Sequence, residues 1–448
     1  MAAMANVTME ATELLQHLIR NACVNDGSAD SGQEIRSADT LASYLDGIDL
    51  QRYEPHPGRR NLVAKIEGSD PSAPGLLLMG HTDVVPANPD RWRRDPFGGE
   101  LVDGEVWGRG AVDMLNLTST MAVAFRRLAD EGFRPRGTLT YLAVADEEAL
   151  GTHGAAWLLE NEPDAVRTDY VVTEFGGAQL PIPTRGGPKV PVTVAEKGSH
   201  WCTLRIRGTP GHASMPLRTD NALVKTAEVV RRLQERAPEG RIHDVWRAFV
   251  DRMEFEPDLA VALLDPARLR EAAERHPDVG VARVFHAATH MTVAPTVVSG
   301  GVKTNVIPDT VDLQLDIRTL PGQTPDEVRA WLREAVGDDL WPDIELIEDA
   351  VEPASASPVD TPLWDSLERV TSALLPGITT VPDIISGATD SRFFRRAGVT
   401  AYGFGLYSER IGFADFVSMF HGDDERVDQE SLRLSTELWI ALARDFLG

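Results

Sequence analysis

The sequence is poor in several features that would narrow its function at once. It has only two cysteines, Cys23 and Cys202, in 448 residues, which excludes a disulfide framework and a cysteine-rich zinc motif. Positive charge is scarce: 44 Lys and Arg stand against 69 Asp and Glu, a net charge of −25. Phosphate binding needs clustered Lys and Arg, so nucleic acid is not an expected partner. No apolar run approaches the length of a membrane span, so no membrane partner is expected either. Residues Met1 to Glu10 lack the basic-then-apolar layout of a signal peptide, and the expected compartment is the cytoplasm. There is no Gly-x-Ser-x-Gly elbow, which disfavours a serine hydrolase. Gly108-x-Gly110 lacks the third glycine and the preceding strand of a dinucleotide fingerprint.

What is present reads as a globular protein of more than one domain, because 448 residues exceed a single core. Helical periodicity over residues 8–20 and 33–46 flanks a loop, Asn25 to Gly32. Strands are predicted at 61–66, 75–79, 138–145 and 169–173, with helices at 117–129 and from Gly154 to Leu159. This alternation predicts an α/β layer with a mixed, largely parallel sheet flanked by helices. Near Glu196-Lys-Gly198 the pattern changes. Strands at 200–207, 293–299 and 310–317, with helices at 221–233 and 325–335, predict a smaller α+β unit. Residues 244–290 read as mostly helical and polar, and Ala354 to Pro358 as a linker. The expected division is residues 1–196 and 354–448 as one domain, with 197–353 inserted as a second.

The chemistry concentrates where apolar strands end. Leu76-Leu-Leu-Met79 runs into Gly80-His81-Thr82-Asp83, and side chains two apart at a strand end lean to the same side. Such a pair suits a metal ligand with its supporting carboxylate, or a catalytic base with its orienting acid. Asp113 lies just before a helix and, taken alone, reads first as its cap. Glu147 and Glu148 follow the strand 138–145 as neighbours that point opposite ways, one to a metal and one to substrate, or both into solvent as an acidic turn. Glu174 ends the strand 169–173, and His421 sits in a polar loop before the last helix. Two histidines and several carboxylates make a mixed N/O donor set that suits Zn²⁺, with Co²⁺ or Mn²⁺ tolerable. One shared carboxylate, plus one histidine and one carboxylate per ion, would complete a dinuclear site.

These stretches, in order, carry a resemblance. His81-Thr-Asp-Val-Val-Pro86, Trp92 with Asp95-Pro-Phe97, Gly108-Arg-Gly-Ala-Val-Asp113, Asp146-Glu-Glu148, Gly211-His212, Thr304-Asn-Val-Ile-Pro308, Asp316-Ile-Arg318 and His421 resemble the M20 metallopeptidase family over nearly the whole chain. That family includes carboxypeptidase-G-type enzymes, aminoacylases, succinyl-diaminopimelate desuccinylases and dipeptidases. The resemblance implies two divalent ions, most simply Zn²⁺, bridged by Asp113, with His81 and Glu174 on one and Glu148 and His421 on the other. It implies Glu147 as general base and Asp83 as the acid orienting His81. The inserted domain would be a lid and homodimer interface, with His212 reaching a partner's site to stabilise the oxyanion. Arg318 and Asn305 would hold a substrate carboxylate and nearby polar groups, and Gly387 lies in a glycine-rich loop near substrate. The implied reaction is hydrolysis of an amide or peptide bond in an N-acyl amino acid or small peptide. The competing expectation is a catalytically silent relative acting as a binding or scaffold protein. Three stretches depart from the family pattern: Asp113-Met-Leu-Asn-Leu117 replaces a lysine- and glycine-containing run, and 236–290 and 407–420 are long.

Overall fold

The computed structural model describes residues 2–448, with side chains from Val7 onward. Met1, the first residue of the segment weighed above as a leader, lies outside them. The main sheet has nine strands. From one edge it runs Leu50–His56, Arg59–Ile66, Leu139–Val144, Leu76–His81, Tyr170–Thr173, Thr400–Gly403, Lys189–Glu196 and Ser355–Ala356, and Thr379–Ile385 also pairs with Lys189–Glu196. The four strands from Leu139–Val144 to Thr400–Gly403 are mutually parallel, and the strands beyond Leu139–Val144 pair antiparallel.

Leu76–His81 and Leu139–Val144 are buried at all six positions each, as expected of parallel strands covered on both faces. Alternate residues serve opposite cores. Leu76 and Leu78 join the cluster beneath helices Leu115–Asp130 and Gln429–Leu447, and Leu77 and Met79 join one with Leu158 and Phe394. Gly80 lets helix Leu115–Asp130 lie directly on its strand, because a Cβ there would stand 2.4 Å from Thr118 Oγ1.

The smaller sheet is antiparallel, in the order Thr292–Gly300, Thr310–Thr319, Gly198–Arg207 and Ile344–Glu352. Helices Ala222–Glu235 and Pro325–Val336 close one core with it through Val229, Leu233, Val328 and Leu332. The fourth strand, Ile344–Glu352, was not expected, because its acidic, half-exposed sequence carries little apolar alternation.

Two segments differ in placement from the sequence expectation. Residues 244–289 form four helices, but Trp246, Phe249, Met253, Leu269 and Phe285 belong to the main core, not to the smaller one. The chain therefore crosses between the two cores four times: near 197, 240, 290 and 353. The first and third crossings are clasped by Lys197, whose buried Nζ donates to Ala287 O, His290 O and Thr292 Oγ1. Within the expected linker, Ser355 and Ala356 pair with Glu196 and Ala195 as a strand. Among the described residues, no helix is long and apolar enough to cross a membrane.

Candidate active site

Three adjacent parallel strands end at one place. Leu139–Val144 leads to Glu147 and Glu148, Leu76–His81 to His81 and Asp83, and Tyr170–Thr173 to Glu174. Carboxyl ends of parallel strands are where open α/β sheets bind ligands. Asp113 arrives from the loop before helix Leu115–Asp130, and His421 from the loop before the strand Arg426–Asp428.

Asp113 is the centre of this convergence. Its Oδ1 lies 3.2 Å from His81 Nε2, and its Oδ2 lies 3.2 Å from His421 Nε2. Glu174 Oε2 is 3.6 Å from His81 Nε2, and Glu148 Oε2 is 3.2 Å from His421 Nε2. Two donor triads result, His81–Asp113–Glu174 and Asp113–Glu148–His421, each with its donor atoms within 4.8 Å of one another. An ion with tetrahedral bonds of about 2.0–2.2 Å separates its donors by roughly 3.4 Å. The residues therefore fit a divalent cation in each triad, and Glu148 Oε1, buried without a hydrogen-bond partner, leaves a further oxygen free. Asp113 is not a helix cap: the capping position is Met114, with no side-chain hydrogen bond.

The electrostatics follow from packing five such groups together. Burial would lift the Asp113 carboxyl, but the imidazoles of His421 and His81 hold it well below the usual range. Burial pushes Glu174 up to about 8. Hydrogen bonds to Asp113 and Glu148 raise His421 to about 10. Glu147 is raised well above an ordinary glutamate by burial and by the neighbouring Glu174 charge. Glu147 belongs to neither triad, yet it stands beside them.

A layer of buried groups fixes these side chains. His81 Nδ1 lies 2.9 Å from Asp83 O and 3.6 Å from Asp83 Oδ1, and Thr118 Oγ1 donates to His81 O at 2.7 Å. The Asp83 carboxylate accepts the backbone N–H groups of Glu147 and Glu148 and the Asn25 amide. It thus links the His81 strand end to the glutamate turn. That turn needs Asp146 at φ 71°, a conformation held by Asp146 Oδ2 accepting His153 N–H and by Glu34 accepting Asp146 N–H. Glu425, fully buried, accepts N–H groups from Gly110, Val112 and Asp113 and pairs with Arg109 at 2.9 Å. Sequence reading missed Glu425, Asn25 and Glu34. Glu425 lies four residues after His421, but nothing in an acidic loop distinguishes it from Asp423 or Asp424.

The remaining sequence candidates sit apart from this cluster. His212 and Asn305 come together where Gly211–His212 pairs with Val306–Ile307, with Ala213 N–H donating to Asn305 O. The His212 ring is exposed and meets Ser214 Oγ at 2.7 Å. Arg318 donates two hydrogen bonds to Asp316 and lies 5.5 Å from the Trp201 ring centre. Among the described residues, no hydrogen bond or ion pair joins these three to the cluster. Gly387 lines an apolar cavity of about 440 Å³ whose wall includes Phe175 and Phe420, the residues next to Glu174 and His421. After Asp113, Asn116 Nδ2 donates to Tyr407 Oη at 3.3 Å.

The model of peptidase family M20/M25/M40 matches residues 77–445. The N-fatty-acyl-amino acid synthase/hydrolase PM20D1 of Xenopus tropicalis is 30% identical over 85% of this chain and 74% of its own length. The succinyl-diaminopimelate desuccinylase of Maricaulis maris is 28% identical over 97% of this chain and 95% of its own. The crystal structure of the M20 family metallo-carboxypeptidase Sso-CP2 from Sulfolobus solfataricus superimposes with a TM-score of 0.71 at 17% identity, covering 98% of this chain and 99% of that one. The chain belongs to the M20/M25/M40 peptidase family and is a hydrolytic enzyme of that metal-dependent group.

Proposed function

We propose that this protein hydrolyses the amide bond of N-acyl amino acids carrying a free carboxylate, using two divalent cations and Glu147. The observation that carries the reading is Asp113, which offers one oxygen to each histidine, beside a glutamate that is in neither triad. His81, Asp113 and Glu174 hold one cation, and Asp113, Glu148 and His421 hold the other; Zn²⁺ fits these donors best. Cations so placed acidify water and polarise a carbonyl. Glu147 takes the proton of the attacking water and delivers it to the leaving nitrogen. Asp83 orients His81 from behind.

The N-acyl class rests on the relatives, whose names specify fatty-acyl and succinyl amides of amino acids. Arg318 receives the substrate carboxylate. Asp316 and Trp201 fix its guanidinium, and Nη1 keeps two N–H groups for an incoming anion. Asn305 supports the same end of the substrate. His212 acts across a homodimer formed by the smaller sheet and its helices, on which no triad member lies. In this reading, residues 197–243 and 290–353 form the lid, and helices 244–289 belong with the main domain. Nothing favours a silent binding protein, because every donor and the base are kept.

The experiment is a hydrolysis screen of N-acyl amino acids and dipeptides, with the protein stripped and then reloaded with Zn²⁺, Co²⁺ or Mn²⁺. Metal-dependent release of free amino acid is expected. Failure with every metal and substrate would sink the reading.

A further inference from the structure

Residues 236–290 and 407–420, read from the sequence as long for the family, both contribute to the wall of one cavity. Helices Asp244–Met253 and Val279–Thr289 supply Trp246, Phe249 and Phe285 to its wall, and the second stretch supplies Phe413, Phe416 and Phe420. The rings are packed together: Trp246 lies 5.2 Å from Phe249 and 5.3 Å from Phe285, and Phe416 lies 5.4 Å from Phe420. The Trp246 indole N–H donates to Leu263 O, so its polar edge is satisfied elsewhere.

The cavity adjoins the reaction centre through Phe175 and Phe420. Their rings stack at 5.0 Å and 14°. Phe175 (φ 70°) and His421 (φ 56°) both hold left-handed backbone, which is unusual for side chains of this size. The two stacked rings are the chain neighbours of Glu174 and His421, one from each donor triad.

The wall holds no residue of the smaller sheet or its two helices. The substrate's carboxylate end, assigned above to Arg318, therefore binds a different surface from whatever fills the cavity. The only basic residue on the wall, Arg283, is exposed, and the one acid is Asp383. Asp383 Oδ1 accepts the Ile384 N–H, and burial pushes its carboxyl up to about 6. A volume of about 440 Å³ falls within the roughly 300–1,000 Å³ of pockets that enclose drug-sized ligands. It is far more than an acetyl group needs.

We infer that this cavity holds the acyl half of the substrate, and that the acyl group is a medium- to long-chain hydrocarbon, not acetyl, succinyl or another dicarboxylic acid. The inference rests on the proposed N-acyl amino acid hydrolysis and names its substrate class. The names of the relatives do not decide the point, since they include fatty-acyl and succinyl groups at similar identity. The apolar wall and its lone acid do.

The test uses the full-length, metal-loaded enzyme with N-acetyl, N-hexanoyl, N-decanoyl and N-succinyl derivatives of leucine and of glutamate. Expected kcat/KM rises about fourfold per added methylene until the cavity is full, the value for a fully buried methylene, and succinyl substrates fall below hexanoyl ones. A flat or falling series, or one ordered by the amino acid instead of the acyl chain, overturns the inference while leaving the hydrolase reading intact. Absence of cleavage for every N-acyl substrate overturns both. Val417→Asp places a charge on the wall at a half-exposed position, 49% accessible. It should lower the decanoyl-to-acetyl ratio of kcat/KM at least tenfold. Val284→Asp, equally exposed and on another helix, should do the same, and unchanged ratios in both variants overturn the assignment.

Discussion

The Glu425 carboxylate accepts the backbone N–H of Asp113 at 2.9 Å, so the residue central to both donor triads is held from behind by an acid that belongs to neither triad. The same carboxylate takes the N–H groups of Val112 and Gly110 and faces the Arg109 guanidinium. Glu425→Gln leaves Arg109 buried without its counter-charge and turns an NH₂ toward backbone donors. Breaking such a buried pair costs about 3–5 kcal/mol. Urea unfolding should show a loss of that order, and metal titration a weaker affinity. Wild-type metal affinity in a folded Glu425→Gln protein would show that the cradle does not position Asp113.

Glu147→Gln should keep the full metal content and lower kcat by between about a hundredfold and ten-thousandfold, the range for a general acid–base group. The KM should change little. Inductively coupled plasma analysis and steady-state kinetics on the same preparation separate the two effects. Wild-type turnover would remove Glu147 from the mechanism.

Chelation should expose a pH dependence that the loaded protein lacks. Glu174 is raised from 4.5 to about 8, mainly by burial, and His421 from 6.5 to about 10, mainly by its bond to Asp113. Each group has a folded pKa above its unfolded one. Its stabilising contribution is complete below the unfolded value and is lost as pH rises through the folded value. Asp113, shifted downward, loses its contribution only in acid. The Tm of chelated protein should therefore fall between pH 6 and pH 9, and the gap to metal-loaded protein should widen. A gap that narrows toward pH 9 would contradict this account.

If His212 serves the neighbouring subunit, mixing His212→Ala and Glu147→Gln proteins restores one intact site per mixed dimer. Activity should return on subunit exchange and rise with exchange time. No recovery in mixtures shown to exchange, for example by native mass spectrometry, rules out action across subunits.

Much of the layout was legible in the sequence, and the reasons are local. Leu76–His81 announces itself as an apolar run ending in polar residues, so a strand end bearing chemistry could be read directly. Lys189–Glu196 and Thr379–Ile385 were not read, because Pro191 and Pro382 interrupt their strand signal. In the sheet these prolines are near-neighbours across one parallel pair. Helices 244–289 were legible as helices but not in their destination. Periodicity gives a helix an apolar face without saying which core receives it. The hidden supports, Glu425 above all, were illegible for a related reason: sequence shows a carboxylate but not its burial.

The Lys197 clasp bears on how the smaller sheet can move. With four crossings instead of two, a swing of that sheet must bend paired connections at 197 and 290 together, and three hydrogen bonds on one ammonium must travel or break. Two of those bonds end on Ala287 and His290, at the foot of a helix from which Val284, Phe285, Ala287 and Ala288 border the apolar cavity. A swing of the outer sheet would therefore pull, through the Lys197 side chain, on the end of a helix that lines the chamber.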